Sequence, residues 1–161
     1  MDTSGYVNVL ELEQQHRVPE AGALLRRLVA SNDPLALIEF GTRCRLEPNE
    51  APQMYMPGKN AAAADECITK GIRILQSMAD SDDGEAMRHL AYVLLGHYGL
   101  EYRDIDLAEH WLLKAFSAGH FFAANDLISF YQESDTTKAK HWYAEAERHG
   151  CRVVFNSCYE T

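Results

Sequence analysis

Apolar residues recur at i, i+3, i+4 and i+7 in four stretches: Ala21/Leu24/Leu25/Leu28, Gly71/Ile74/Leu75/Met78, Ala108/Trp111/Leu112/Ala115 and Ala139/Trp142/Tyr143/Ala146. That spacing lays one stripe along an α-helix. Three further stretches, Ala36/Phe40/Gly41/Cys44, Ala86/Leu90/Ala91/Leu94 and Ala123/Leu127/Ile128/Tyr131, also repeat at helical spacing. Each begins twelve residues after the same position of the helix before it: Leu24 to Ala36, Ile74 to Ala86, Trp111 to Ala123. A constant offset of this kind marks a repeated helix pair.

The pattern and its punctuation predict the elements. A first helix falls within residues 1–18, carrying Tyr6, Val7, Val9, Leu10 and Leu12, and a second runs over 19–31 with Pro19 in its first turn. Asp33 and Pro34 read as N-cap and first residue of a helix reaching about Leu46. Residues 47–60 break the pattern with Pro48, Pro52 and Pro57, so a loop is expected there, with Met54, Tyr55 and Met56 at its tip either as a partner-binding contact or folded back over the groove or an adjacent helix. Helices are then predicted over 61–80, 84–99, 104–118, 121–132 and 135–149, with Asp104 and Asp135 as N-caps. The tail 151–161, with Val153, Val154 and Phe155, is expected to cover the last helix pair, because a terminal repeat leaves an apolar face.

The two clearest copies, Ala108–Gly119 and Ala139–Gly150, share an Ala, a Trp three residues on and a Gly eight beyond the Trp. With the Asp104 turn, these blocks resemble the Sel-one-like repeat, a relative of the tetratricopeptide repeat. The resemblance implies an all-α fold, a right-handed superhelix (solenoid) of about three helix-pair repeats forming a single domain over 1–161. Residues 1–32 would form the N-terminal helices and cap, 33–83 a divergent repeat containing the loop 47–60, 84–150 the clearest repeats and 151–161 a C-terminal cap. The copies are irregular: Trp142 follows Trp111 by 31 residues, whereas Trp111 follows the equivalent Ile74 by 37.

Charge narrows the partners. The chain carries 24 acids against 15 bases, a formal charge of −9. Phosphate binding needs a basic patch, so nucleic acid is not an expected partner. The acidic runs Asp80/Asp82/Asp83/Glu85 and Glu101/Asp104/Asp106/Glu109 favour a basic protein partner through faster association, and equally serve solubility and helix N-termini. The one positive region gathers Arg26, Arg27, Arg43 and Arg45. No apolar run is long enough for a membrane-spanning helix, and the acidic start Met1-Asp2 lacks a basic leader segment, so a cytoplasmic address is expected.

The sequence offers little chemistry. Cys44, Cys67, Cys151 and Cys158 show no metal-ligand spacing and read as small buried residues or free thiols. His110 and His141 occupy equivalent repeat positions, and His120 and His149 flank helix-ending glycines, where a helix dipole favours partial positive charge. No zinc-protease, nucleophile-elbow or phosphate-loop motif occurs. Neither an enzyme nor a cofactor or metal is expected.

The resemblance implies instead that the first helix of each pair lines a concave surface. Transferred position by position, its partner-facing residues are Ile38, Thr42 and Arg45, then Arg88, Tyr92 and Leu95, then Asn125, Ser129 and Gln132. Proteins resembling this family act as assembly adaptors, signalling scaffolds and neutralising partners of secreted bacterial toxins. The small, acidic chain is best matched to the last: a bacterial immunity protein that binds and occludes a toxin or effector. An adaptor or regulator of an endogenous bacterial protein is the alternative, and a small hydrolase or metal-dependent enzyme the second.

Overall fold

The computed structural model describes residues 1–46 and 61–151, and every regular element among them is helical. The order is α1 (Ser4–Gln14), α2 (Val18–Ala30), α3 (Pro34–Arg45), α4 (Ala61–Asp80), α5 (Gly84–Leu94), a short 3₁₀ turn (Leu100–Tyr102), α6 (Ile105–Ser117), α7 (Ala123–Tyr131) and α8 (Thr136–Arg148). The all-α expectation holds, and α4 keeps the bounds read from the sequence. Helix α5 stops at Leu94, short of the expected 99, because Gly96 takes a left-handed conformation (φ 90°) and turns the chain. Met54, Tyr55, Met56 and the tail residues Val153, Val154, Phe155 and Cys158 lie outside the described residues. No helix among the described residues is long and apolar enough to cross a membrane.

Repetition is written into the turns. Helices α1, α2, α4, α5, α6 and α8 all end on a left-handed residue: His16, Asn32, Asp82, Gly96, Gly119 and Gly150. The residue after each donates its N–H to the carbonyl five positions back, as in Asp33 to Leu28 (3.0 Å), Asp83 to Met78 (3.1 Å) and His120 to Ala115 (3.0 Å). This bond satisfies carbonyls that the helix end would otherwise leave orphaned. Asn32 and Asp82 serve where glycine is usual because short polar side chains tolerate the left-handed region. Aspartates start most of the following helices. Asp33 accepts from Ala36 N, Asp83 from Ala86 N, Asp104 from Leu107 N and Asp135 from Lys138 N, at 2.8, 3.0, 3.1 and 3.0 Å.

The chain forms two compact units, one from Met1 to Ser77 and one beginning at Met78. In the first unit, Val9 of α1, Ala21 and Leu25 of α2 and Ala36 of α3 form a fully buried cluster, flanked by Leu12, Leu24, Leu28, Val29 and Phe40. Helices α3 and α4 approach closely at two glycines. A Cβ on Gly41 would stand 2.6 Å from the Ala64 carbonyl, and one on Gly71 2.6 Å from the Pro34 carbonyl. The stripe positions taken by Gly41 and Gly71 are therefore fixed by backbone contact.

In the second unit the stripes Ala108/Trp111/Leu112/Ala115 and Ala123/Leu127/Ile128/Tyr131 are buried throughout. Trp142 of the last copy is only partly buried and meets the Phe116 ring edge-on at 5.0 Å, beside the buried Ala124, Ile128, Ala146 and Cys151. Cys44 and Cys151 are buried free thiols and Cys67 is a half-buried one, in keeping with their reading as small packing residues.

Candidate protein-binding groove

Two first helices, α5 and α7, carry a run of polar residues on the faces they do not bury, and the second unit brings these runs together. Arg88 of α5 reaches Asp126 of α7: its Nε donates to Oδ2, and its Nη2 donates to Oδ1 at 3.2 Å. The Tyr92 hydroxyl, one helical turn beyond Arg88, donates to the same Oδ1 at 2.6 Å and accepts from Arg88 Nη2 at 3.0 Å. Such a planar fork is what guanidinium and carboxylate geometry favours.

The network continues behind Arg88. Its Nη1 donates to Glu85 Oε2 at 3.1 Å. Glu85 also accepts from His89 Nε2 at 3.1 Å on its other oxygen, and from His120 Nε2. His120 occupies the position where Asp33 and Asp83 cap the equivalent helices, so its side chain is free to reach α5 instead. The His89 bond, with the charge of Arg88 and the His120 bond, holds the Glu85 carboxyl far below its ordinary value, at about 2, against the opposing effect of burial. Burial is the largest single influence on Arg88 and opposes its charge, yet the Asp126 bond and charge together with Tyr92 and Glu85 outweigh it and raise the guanidinium pKa. Burial, with the Asp126 charge, pushes the Tyr92 phenol up, so it remains a neutral donor.

Beside this network opens a groove of about 850 Å³. Tyr92, Leu95 and His97 line it from the end of α5, and Arg103, Ile105 and Glu109 from the start of α6. Asp126, Ser129, Phe130 and Tyr131 contribute from α7, and Asp135 and Lys138 from the start of α8. The His97 ring stacks on Tyr92 with centroids 5.5 Å apart and planes within 10°. On the far wall Tyr131 donates its hydroxyl to Glu109, and Lys138 Nζ sits 4.6 Å above the Tyr131 ring. Burial and the Glu109 contact raise the Tyr131 pKa as well. The groove thus combines an apolar and aromatic lining with a self-satisfied polar floor, a combination suited to recognising part of another molecule.

The expected contact residues divide sharply. Tyr92, Leu95 and Ser129 line the groove. Ile38 does not face a partner: it is fully buried, and a Cβ on Gly71 would come within 2.7 Å of it. Asn125 is also buried and donates to the Cys151 carbonyl at 2.8 Å, tying down the chain after α8. Arg88 forms the floor beneath the groove rather than a free contact. Thr42 is half-buried and donates to the Ile38 carbonyl (2.9 Å), while Arg45 pairs with Asp65 at 2.6 Å. Gln132 is exposed as the residue ending α7.

Some members of each charged run are engaged within the fold. In the positive region, Arg43 is buried between Glu13 and Glu39. Of the acidic runs, Asp83 and Asp104 are caps and Glu85 and Glu109 belong to internal networks. Asp126, Arg103, Phe130 and Lys138 are groove residues that the helix-stripe reasoning passed over. One signal for Asp126 existed: it lies one residue beyond Asn125, the repeat equivalent of Arg88, so opposite charges stand side by side on successive first helices. Comparison of the chain with family models, curated proteins and solved structures returned no match.

Proposed function

We propose that the chain is a Sel-one-like helical-repeat module that binds another protein through the groove of its second unit. The observation that carries this reading is the groove itself. Tyr92, Leu95 and Ser129, marked as partner-facing by the repeat pattern, converge with Ile105, Phe130 and Tyr131 on one opening above the locked Arg88–Asp126 floor. A floor whose polar atoms are already paired loses little freedom on binding, which lowers the entropic cost of recognition.

Within this reading the chain acts as a bacterial immunity protein, occluding the active site or substrate channel of a toxin by stoichiometric binding. The formal charge of −9 supports a basic partner at the encounter stage, where the field of the whole molecule matters. The mechanism is non-catalytic and needs no cofactor. The second reading, an adaptor for an endogenous bacterial protein, rests on the same groove.

Affinity purification of the tagged chain from its native lysate, followed by an activity assay of the captured protein, tests the proposal. Immunity predicts one dominant, near-stoichiometric partner whose toxic activity falls as the chain is added. A captured partner whose activity is unchanged supports the adaptor. Failure to capture any protein near stoichiometry contradicts the binding-module reading.

A further inference from the structure

The groove is lined by three carboxylates, Glu109, Asp126 and Asp135, and by two cationic side chains, Arg103 and Lys138. Asp126 is held by Arg88 and Tyr92. Glu109 accepts from Tyr131 and lies 3.8 Å from Lys138. Asp135 accepts from the backbone N–H groups of Thr137 and Lys138. Each carboxylate lining the groove is therefore already engaged. Lys138 is engaged too, by Glu109 and by the Tyr131 ring.

Arg103 is different. It lines the groove and is exposed, and its guanidinium makes no hydrogen bond or ion pair among the described residues. Its stem runs beside Gly96, where a Cβ would lie 3.8 Å from both Arg103 Cβ and Arg103 Cδ. The stem is thus placed against backbone, while the head group keeps its five donors. Charges at contact distance decide local recognition, whereas those beyond roughly 8 Å are largely screened at physiological salt. The net charge of −9 thus bears on approach, whereas Arg103 stands at the point of contact.

We infer that the groove takes an acidic side chain, Asp or Glu, from an internal segment of the partner protein, with its carboxylate on Arg103. An apolar or aromatic neighbour in that segment lies against Leu95, Ile105 and Phe130. This rests on the protein-binding reading above and adds the chemistry of what that site accepts. It also reverses, at the point of contact, the preference for basic groups that the total charge implies.

The test uses the full chain and short peptides blocked at both ends, with the central sequence Phe-Glu-Leu, Phe-Gln-Leu or Phe-Lys-Leu. A fourth peptide carries Gln at the centre and a free C-terminal carboxylate. Binding is followed by the backbone amide signals of Leu95, Arg103 and Ser129. The Glu peptide is expected to move these signals and to bind about tenfold more tightly than the Gln peptide, the size expected for a charge-assisted bond. Arg103→Gln is expected to erase that difference, and its melting curve to match the parent because the side chain is exposed.

Equal or tighter binding of the Lys peptide overturns the inference, as does a Glu preference that survives Arg103→Gln. Tight binding of the free-carboxylate peptide would reassign the site to chain ends and also overturn it. Silence from all four peptides, while a natural partner is still lost on Ser129→Arg, defeats this inference alone. A natural partner indifferent to Ser129→Arg defeats the groove reading beneath it.

Discussion

Each unit builds a cluster from the same parts, an arginine between two carboxylates with a tyrosine on one of them. In the first unit, Arg43 of α3 lies between Glu39 and Glu13 of α1, and Tyr6 donates to Glu39 at 3.1 Å. In the second, Arg88 of α5 lies between Glu85 and Asp126 of α7, and Tyr92 donates to Asp126. The difference is access. The Arg43 side chain is 3% exposed, whereas that of Arg88 is 16% exposed and its Tyr92 and Asp126 partners open onto the groove. Arg43 stands seven residues after Ala36, but Arg88 only two after the equivalent Ala86. Identical chemistry therefore becomes a seal in one unit and a binding floor in the other, according to its helical position.

The comparison breaks most sharply at the seal. Arg43→Met should leave the buried Glu39 and the half-buried Glu13 facing each other without a cation, a loss of about 3 kcal/mol in urea unfolding. A loss below about 1 kcal/mol, the scale of an exposed pair, would show that the cluster is not sealed.

Acid titration sharpens the open cluster. The folded-state pKa of Glu85 is depressed from 4.5 to about 2, so its contribution is present above the ordinary carboxylate pKa and lost as pH falls from about 4.5 to about 2. That contribution amounts to about 2–3 kcal/mol at neutral pH. Glu85→Gln should flatten this part of the stability–pH curve measured by urea unfolding, and an unchanged acid limb would refute the assigned role of His89, Arg88 and His120.

Smaller effects probe the helix contacts. Gly71→Ala should cost about 1–3 kcal/mol, since its Cβ has no room against the Pro34 carbonyl. The reverse change at the equivalent Ala108, which is fully buried, is expected to act as an ordinary cavity mutation. Asp135→Ala should remove the cap of α8 for about 1 kcal/mol in thermal unfolding.

Helices and caps were legible because they depend on neighbours in sequence. The stripe positions placed Ala108, Trp111, Leu112 and Ala115 in the core, and Asp33, Asp104 and Asp135 at helix starts. The site was only half legible, because its geometry depends on how successive first helices meet. Ile38, Arg88 and Asn125 are equivalent positions, and all three turn toward a packed neighbour, so the first member of each expected trio is structural. At the next position Thr42 and Tyr92 are half-buried and Ser129 is exposed. Arg103, Lys138 and Asp135 belong to turns and to the starts of second helices, where the apolar period carries no information about the groove.

The central claim is that the groove of the second unit, and not the first unit, contacts the partner. Its most direct test is parallel capture from native lysate with the tagged parent chain, Ser129→Arg and Arg45→Glu. Ser129 is exposed in the groove, and Arg45 is partly exposed on the first unit. The expected result is one protein captured equally by the parent and Arg45→Glu and lost with Ser129→Arg, whose melting temperature stays at the parent value. Capture retained by Ser129→Arg and lost with Arg45→Glu would contradict the account and move the binding surface to the first unit.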